Sequence, residues 1–157
     1  MRPMQYWLMK SEPDVYGIDD LIRDKVNMWE GCRNYTVRNY LRDEMQEGDL
    51  AFFYHSNIPP TGVVGIMRVV HAPYPDPTQF DPQSEYHDPK SPKDQPRWFV
   101  RDVEFVEKFA RVVSLAEMKA TPGLEAMPVT QKGQRLSITK VSPSEWDLVC
   151  TLGRSNR

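Results

Sequence analysis

The chain has 157 residues, of which 39% are hydrophobic, 27% charged and 11% aromatic; this length and composition indicate one folded domain and exclude a disordered chain. The net charge of −2 excludes a protein that grips nucleic acid over a wide basic surface. The charge is uneven, since residues 1–107 carry 12 basic and 18 acidic side chains and residues 108–157 carry 8 and 4, so a local basic rim around a pocket stays possible.

The first part of the chain predicts a strand followed by two helices. Residues 4–10 are rich in aromatic and long apolar side chains and predict an opening strand. Residues 17–22 predict a short helix, and Asn34 is placed to cap the start of a second one. Apolar residues at helical spacing give that second helix one buried face, formed by Val37, Tyr40, Leu41 and Met45.

Two continuous apolar runs, residues 50–54 and residues 63–70, predict central strands. They are joined by residues 57–62, whose Asn, Pro and Gly content is typical of a hairpin loop. Continuous rather than alternating apolarity indicates strands covered on both faces, as in a closed barrel or a helix-covered sheet.

Residues 73–96 hold 7 of the 14 prolines and are therefore predicted to form neither regular helix nor sheet. Tyr74, Phe80 and Tyr86 lie within this stretch, and their aromatic rings favour a long loop that packs on the domain over a disordered one.

The last third predicts a strand over residues 97–113 and two capped helices, one from Ser114 and one from Ser142 to Leu152. The chain thus predicts an α+β fold, a small β-barrel or curved sheet of five or six mostly antiparallel strands flanked by short helices. We expect a single domain over residues 1–157.

Motifs of common enzyme and metal sites are absent from the sequence. It has no glycine-rich phosphate loop, nucleophile elbow or paired-cysteine metal motif. The three histidines are 16 residues apart, and Cys32 and Cys150 lie in no close Cys/His cluster, so no metal or other cofactor is expected. The first residues lack the apolar core of a signal peptide. Two isolated cysteines fit a reducing compartment, and we expect a cytoplasmic protein.

Polar groups follow several of the predicted strands or precede helices. These clusters are Lys10-Ser11-Glu12, residues 29–34, residues 54–57 and Arg97-Trp98. Each residue also has a purely structural interpretation: Ser11 and Asn34 as turn or cap residues, Trp29 and Trp98 as core side chains, and His55 as a hydrogen-bonded residue at a strand end. Taken together they supply the aromatic faces, donors and acceptors that bind a planar heterocycle.

Six segments in order resemble the EVE-domain family, over nearly the whole chain from Tyr6 to Trp146. They are YWLMKSEPDVYGIDDL, WEGCRNYTVRNYLRD, GDLAFFYHSN, GVVGIMRVV, APYPDPTQFD and DPKSP…PRWFVRDVEF. The resemblance implies a PUA-like fold related to the YTH domain, a small β-barrel flanked by helices. Cys32 stands where a small apolar residue is common in the family, and the chain lacks the basic N-terminal extension of eukaryotic members, so it resembles the compact bacterial form.

The resemblance implies a non-catalytic reader of a modified base, with modified cytosine in DNA favoured and RNA possible, and a base flipped out of its stack. Trp29 and Trp98 are then the candidate aromatic walls of the pocket. The candidate polar edge comprises Ser11, Glu12, Asn34, His55 and Ser56, and the candidate phosphate ligands are Lys10, Arg33 and Arg38. We expect a monomer that binds nucleic acid and no membrane.

Two other functional classes compete with this interpretation. An enzyme acting on a modified base or nucleotide would use His55 and Glu12 as base and acid, although no nucleophile–base–orienter set is visible. A protein-interaction domain with an incidental pocket is the third class. The sequence gives neither the preferred modification nor the strandedness of the nucleic acid.

Overall fold

The computed structural model describes residues 3–155, and within them the chain forms seven strands and four α-helices. The strands are β1 (Tyr6–Ser11), β2 (Val26–Trp29), β3 (Leu50–His55), β4 (Gly62–Val69), β5 (Tyr74–Pro75), β6 (Phe99–Ser114) and β7 (Ile138–Val141). The helices are α1 (Ile18–Asp24), α2 (Tyr35–Asn39), α3 (Leu115–Ala120) and α4 (Pro143–Arg154), with a π-helical turn over Tyr40–Glu44 and 3-10 turns over Pro77–Phe80 and Pro128–Thr130.

The strands form one mixed sheet in the order β2-β6-β4-β3-β1-β7, with β5 paired to β6. Only the β1–β3 pair is parallel among the described ladders. The predicted α+β class and the mostly antiparallel sheet are therefore confirmed. The sheet has seven strands rather than five or six because β2, β5 and β7 are only two to four residues long and give little periodic signal.

The sheet curls strongly without closing. The Trp29 ring of β2 lies 5.4 Å, centroid to centroid, from the Phe53 ring of β3, although two strands separate β2 from β3 in the ladder. In a flat sheet three strand steps would span about 14 Å. Within residues 3–155, β2 and β7 stay unpaired on their outer sides, so of the two predicted forms, a small barrel or a curved sheet, the structure has the curved and open one.

Both faces of this sheet are buried, as the continuous apolar runs predict. Along β3, Ala51 and Phe53 face one apolar cluster and Phe52 and Tyr54 face the other. Helices α1 and α2 cover the first cluster. Helix α4 covers the second, where Trp146 stacks on Phe52 with ring centroids 3.9 Å apart.

The predicted helix starts are confirmed by their caps. The side chain of Asn34 accepts a hydrogen bond from the Val37 N–H, and those of Ser114 and Ser142 cap α3 and α4 in the same way. The second predicted helix changes to π geometry at Tyr40, and its final carbonyls, at Leu41 and Met45, accept hydrogen bonds from the buried Arg101 guanidinium.

Residues 73–96 pack on the domain, as predicted. Their centre is the fully buried Gln79, whose amide donates to the carbonyls of Asp76 and Trp98 and accepts from the Ser91 hydroxyl and the Trp98 N–H. Tyr74 anchors the start of the stretch through a 2.6 Å hydrogen bond to Asp102. The expectation of no regular structure is corrected at two short pieces, β5, which pairs with β6, and the 3-10 turn over Pro77–Phe80. The polar network holds the rest of the loop together.

Candidate functional site

A cleft of about 950 Å³ opens between the outer edge of β2 and the segment that precedes β7. The parallel pairing of β1 and β3 aligns Lys10 with Tyr54 and Ser11 with His55, so the carboxyl ends of both strands reach the same edge of the sheet. The cleft is lined by residues 10–12, 15–16, 27–33, 54, 56–57, 61, 85–86, 115, 134–135 and 137.

Six of the ten predicted site residues line this cleft. They come from the ends of β1, β2 and β3 and from the turn after β2: Lys10, Ser11, Glu12, Trp29, Arg33 and Ser56. A backbone hydrogen bond of 3.0 Å from the Ser56 N–H to the Ser11 carbonyl holds two of these strand ends together. The other four predicted residues, Asn34, His55, Trp98 and Arg38, do not line it.

His55 faces a second, smaller depression, beside Ile18 and Lys108. Its Nε2 accepts a 3.1 Å hydrogen bond from the Ile18 N–H at the start of α1. Burial lowers the pKa of His55, which keeps the ring neutral and able to accept this bond. The expectation that His55 borders the same pocket as Ser56 is corrected. Tyr54 of β3 lines the cleft, and His55, the next residue of the strand, points to the opposite face, where the Ile18 N–H holds it. Asn34 is likewise occupied as the cap of α2.

Trp98 and Arg38 pack against the proline-rich loop, residues 73–96, or the residues that follow it. The Trp98 indole is 6% exposed, donates a 2.7 Å hydrogen bond to Asp88 and stacks on Tyr35 with centroids 4.9 Å apart. The Arg38 guanidinium lies over the other ring of that pair, 4.7 Å from the Tyr35 centroid, and donates to the Arg97 carbonyl. Neither side chain lines the cleft, so the structure does not bring Trp98 and Arg38 together with the other predicted site residues.

Arg33 lines the cleft, but the N–H groups of its guanidinium are already hydrogen-bonded within the protein. Its five N–H groups donate to the carbonyls of Tyr86 and Cys32 and to the side chains of Asp76 and Thr78. Burial alone would raise the pKa of Asp76, but hydrogen bonds from Thr78, Gly31 and Arg33 outweigh it and hold that pKa below its ordinary value. Arg33 thus fastens the loop to the cleft wall, and its charge is balanced by a buried carboxylate.

Tyr86 forms a cleft wall that the sequence analysis did not assign. Gly31 adopts φ +83°, and a Cβ built there would lie 2.7 Å from the Tyr86 ring, so only glycine allows the ring to lie against this turn. Burial raises the pKa of the Tyr86 phenol, which stays protonated. The aromatic content of residues 73–96 indicates that Tyr86 packs on the domain. Its place at the cleft could not be predicted, because Gly31 and Tyr86 are 55 positions apart in the sequence.

The floor of the cleft is aromatic and nearly closed to solvent. Trp29 is 6% and Tyr54 4% exposed, and Trp29 packs edge-on against Phe53 in the core. Trp29 is therefore a core side chain that also forms part of the cleft floor, and its role in binding a base stays a prediction. The Lys10 ammonium lies 6.0 Å from the Tyr54 centroid, where burial lowers the pKa of Lys10.

The rim carries polar groups from four segments. The Ser11 hydroxyl donates to the Tyr16 carbonyl at 2.7 Å, and the Asn57 amide donates to the Glu12 carboxylate at 2.6 Å. Asn27 and the exposed Arg135 complete the lining on either side. Asn57 belongs to the predicted polar cluster of residues 54–57 but has no role assigned from the sequence. Gln134, Arg135 and Ser137 are not predicted at all, because nothing local marks them as neighbours of β1.

Cys32, which lines the cleft, is not activated as a nucleophile. Burial raises the pKa of the Cys32 thiol to about 11, so this cysteine is a protonated side chain of the core and not a nucleophile. Over residues 3–155, no group of three or more His, Cys, Asp or Glu side chains is placed to hold a metal ion. In the same part of the chain, no helix has the length and apolarity to cross a membrane. The arrangement suits reversible binding of a planar, polar-edged molecule.

Comparison with known proteins agrees with this architecture. Thymocyte nuclear protein 1 from Homo sapiens is 40% identical over 165 residues, spanning 94% of this chain and 73% of that protein. A crystal structure of a Pseudomonas syringae protein has 46% identity and a TM-score of 0.90, covering 94% of this chain and 98% of the other. Human THYN1, crystallised in complex with DNA containing 5-methylcytosine, has 40% identity and a TM-score of 0.87, covering 98% and 99%.

The EVE domain model matches residues 5–152, which include every strand and nearly all of α4. The sequence segments, the curled sheet and the cleft at the ends of β1 and β3 thus lie within one matched region, and the chain belongs to the EVE domain family.

Proposed function

We propose that this chain is a non-catalytic reader of DNA carrying a modified cytosine, which it binds with the base flipped into the cleft. The observation that carries the proposal is the 40% identity, over 98% of this chain, to a protein crystallised with DNA containing 5-methylcytosine. The size and lining of the cleft support it, because one nucleotide fits its volume of about 950 Å³.

The energetics of such a site are balanced between two terms. Taking a base out of the duplex costs a few kcal/mol, and stacking it on an aromatic ring returns about 1–3 kcal/mol. Tyr86 at the wall and Trp29 at the floor supply the aromatic surface. Polar atoms on the rim then select among bases, because a base whose donors and acceptors find no partner in the cleft loses its hydrogen bonds to water without replacing them.

The contacts of His55 and Glu12 favour binding over catalysis. The His55 Nε2 is occupied by the Ile18 N–H, and the Glu12 carboxylate is held by Asn57. The two side chains face different depressions, so they do not form the acid–base pair that the enzyme alternative requires.

The test is a binding screen with fluorescent oligonucleotides at stated salt. Matched DNA duplexes carry cytosine, 5-methylcytosine or another modified cytosine at one position, and RNA of the same sequence is the second arm. We expect tighter binding to the modified DNA and no change in the nucleosides by mass spectrometry after incubation. Preferential binding to RNA, turnover of the base, or equal binding to all oligonucleotides would contradict the proposal. Sedimentation of the same samples tests the expectation of a monomeric single domain.

A further inference from the structure

We infer that Glu12 and Asn57 form a reader of the cytosine hydrogen-bonding edge that rejects thymine. The inference rests on the proposed function and adds which chemical groups of the base are recognised. Both residues line the cleft, each just beyond the carboxyl end of one of the parallel strands β1 and β3. The hydrogen bond from Ser56 N–H to Ser11 carbonyl keeps these two strand ends together.

The Glu12 carboxylate fixes the orientation of the Asn57 amide. An ionised carboxylate has acceptors and no donor, so the amide nitrogen and not the amide oxygen must face it. The structure has this arrangement, with 2.6 Å between Asn57 Nδ2 and Glu12 Oε1. Within residues 3–155 no other side chain donates a hydrogen bond to this carboxylate, which leaves Oε2 and the second amide hydrogen for a ligand.

The backbone also holds Asn57 in place. Its φ of +69° lies in the left-handed region, one of two such non-glycine residues among those described. Asparagine tolerates this conformation better than most residues, and the N–H of the next residue, Ile58, donates to the Ser56 carbonyl at 2.8 Å. A residue held in this region beside a cleft is where a positioned functional side chain is often found.

The donor and acceptor pattern left over is complementary to cytosine. Cytosine presents an N4 amine donor beside the N3 acceptor, and a carboxylate accepts from N4. Glu12 Oε2 accepts from the N4 amine and the remaining Asn57 N–H donates to N3. In the same position thymine presents an O4 acceptor to the Glu12 carboxylate and an N3 donor to the Asn57 N–H, so neither hydrogen bond forms. To be bound by the same two groups, thymine would have to shift by one ring position, with N3–H at Glu12 and O2 at Asn57. Turning the Asn57 amide to suit thymine would place its oxygen against Glu12.

The test separates recognition of the edge from recognition of the methyl group. Three duplexes carry 5-methylcytosine, cytosine or thymine opposite an abasic site, so that no base pair is lost when the test base leaves the stack. Because 5-methylcytosine and thymine share the 5-methyl group, contacts with the methyl cancel in that comparison. We expect the unmodified protein to prefer 5-methylcytosine over thymine by about 10- to 100-fold.

Two variants remove the Glu12 carboxylate and the Asn57 amide with little change to the fold. Glu12→Gln keeps the shape but supplies both a donor and an acceptor, and Asn57→Gly removes the amide at a φ that glycine adopts freely. We expect each to reduce the preference over thymine to about threefold or less while retaining the preference of 5-methylcytosine over cytosine. Glu47→Gln, an exposed residue outside the cleft, makes the same change in charge and should keep both preferences.

The outcomes distinguish this inference from the function on which it rests. Loss of the preference over thymine in Glu12→Gln and Asn57→Gly, with circular dichroism unchanged, supports the inference. Retention of that preference in both variants, or a starting protein that does not discriminate against thymine, overturns it alone. A protein that binds all three duplexes equally, or none of them, overturns the proposed function and the inference together.

Discussion

Trp29 is shared between the core and the cleft, so its substitution affects stability before it affects binding. The side chain is 6% exposed and packs edge-on against Phe53. We expect Trp29→Ala to lower the free energy of unfolding by about 3–5 kcal/mol, the usual effect of truncating a buried aromatic side chain. Urea unfolding measures it, and a loss below about 1 kcal/mol would contradict the assignment to the core. Trp29→Phe, which keeps most of the apolar volume, is the matched control.

His55 makes stability depend on pH. Burial lowers the pKa of His55 in the folded protein below its ordinary value of 6.5, so between these two pKa values the unfolded chain binds a proton that the folded chain does not. Its contribution to stability is therefore fully present above about pH 6.5 and decreases as the pH falls toward the folded pKa.

The variant His55→Gln isolates this effect, because glutamine offers an acceptor to the Ile18 N–H and does not titrate. We expect the difference in the free energy of unfolding between pH 7.5 and pH 5.5 to be smaller in the variant than in the starting protein. Urea unfolding at both pH values gives the two differences. An identical pH dependence in the two proteins would show that other groups control it.

The sequence could identify polar residues at strand ends but not their partners. Ser11, Glu12 and Ser56 are found because they follow strongly apolar strands. Arg33 looks equally available in the sequence, and its occupation by Asp76 depends on a contact between residues 43 positions apart. Trp29 and Trp98 each stand beside a charged residue in the sequence, and only the tertiary packing places one at the cleft and the other on Tyr35.

At the level of elements, the proline-rich loop is fastened to the cleft through Asp76. This fully buried carboxylate pairs with Arg33 at 3.0 Å and accepts from the N–H groups of Gly31 and Thr78. The same contacts position Tyr86 at the cleft wall, since Arg33 also donates to the Tyr86 carbonyl. The shape of the cleft therefore depends on a residue that does not line it.

We expect Asp76→Asn to lower the free energy of unfolding by about 3 kcal/mol, because Arg33 would lose its buried counter-charge. We also expect faster proteolysis within residues 77–97, while urea unfolding gives the stability change. Asp81→Asn, at an exposed position of the same loop, is the control and should change neither. Unchanged proteolysis in Asp76→Asn would mean that the Gln79 network alone holds the loop.

The elements that local sequence determines were predictable, and those that depend on pairing were not. Caps at Asn34, Ser114 and Ser142 specify helix starts within three or four residues. Strands β2 and β7 have four residues each, and their strand conformation comes from ladders with β6 and β1. The β1–β3 pair is parallel, and no local sequence pattern indicates which strands pair or in which direction.

At the scale of the whole molecule, charge limits how DNA is held. The net charge is −2, and the cleft lining includes Glu12, Glu30 and Glu85 beside Lys10 and Arg135. Each phosphate contact contributes about 0.9 to the slope of log affinity against log salt on duplex DNA. We therefore expect a shallow slope with a magnitude of about 2–4, and a magnitude near 8 would contradict a pocket-centred mode of binding.

Arg135 is the residue whose removal should change that slope. It is exposed at the cleft rim, whereas the charge of Arg33 is balanced by Asp76. We expect Arg135→Ala to weaken binding of modified and unmodified DNA equally and to reduce the magnitude of the slope by about one. Titrations at several salt concentrations measure this. Arg154→Ala, which removes a surface arginine paired with Glu107 outside the cleft, should leave the slope unchanged.

The open edges of the sheet have a consequence for how a ligand and the fold affect each other. The cleft occupies the gap between β2 and the segment entering β7, where a closed barrel would have a ladder of hydrogen bonds. A molecule bound there would contact β2 and the segment that leads into β7, and would so connect the two open sides of the sheet. Because such a molecule binds the folded chain and not the unfolded one, it raises the melting temperature in proportion to the logarithm of its concentration. We expect the amide protons of β2 and of residues 134–137 to be the ones whose exchange with solvent slows most on binding.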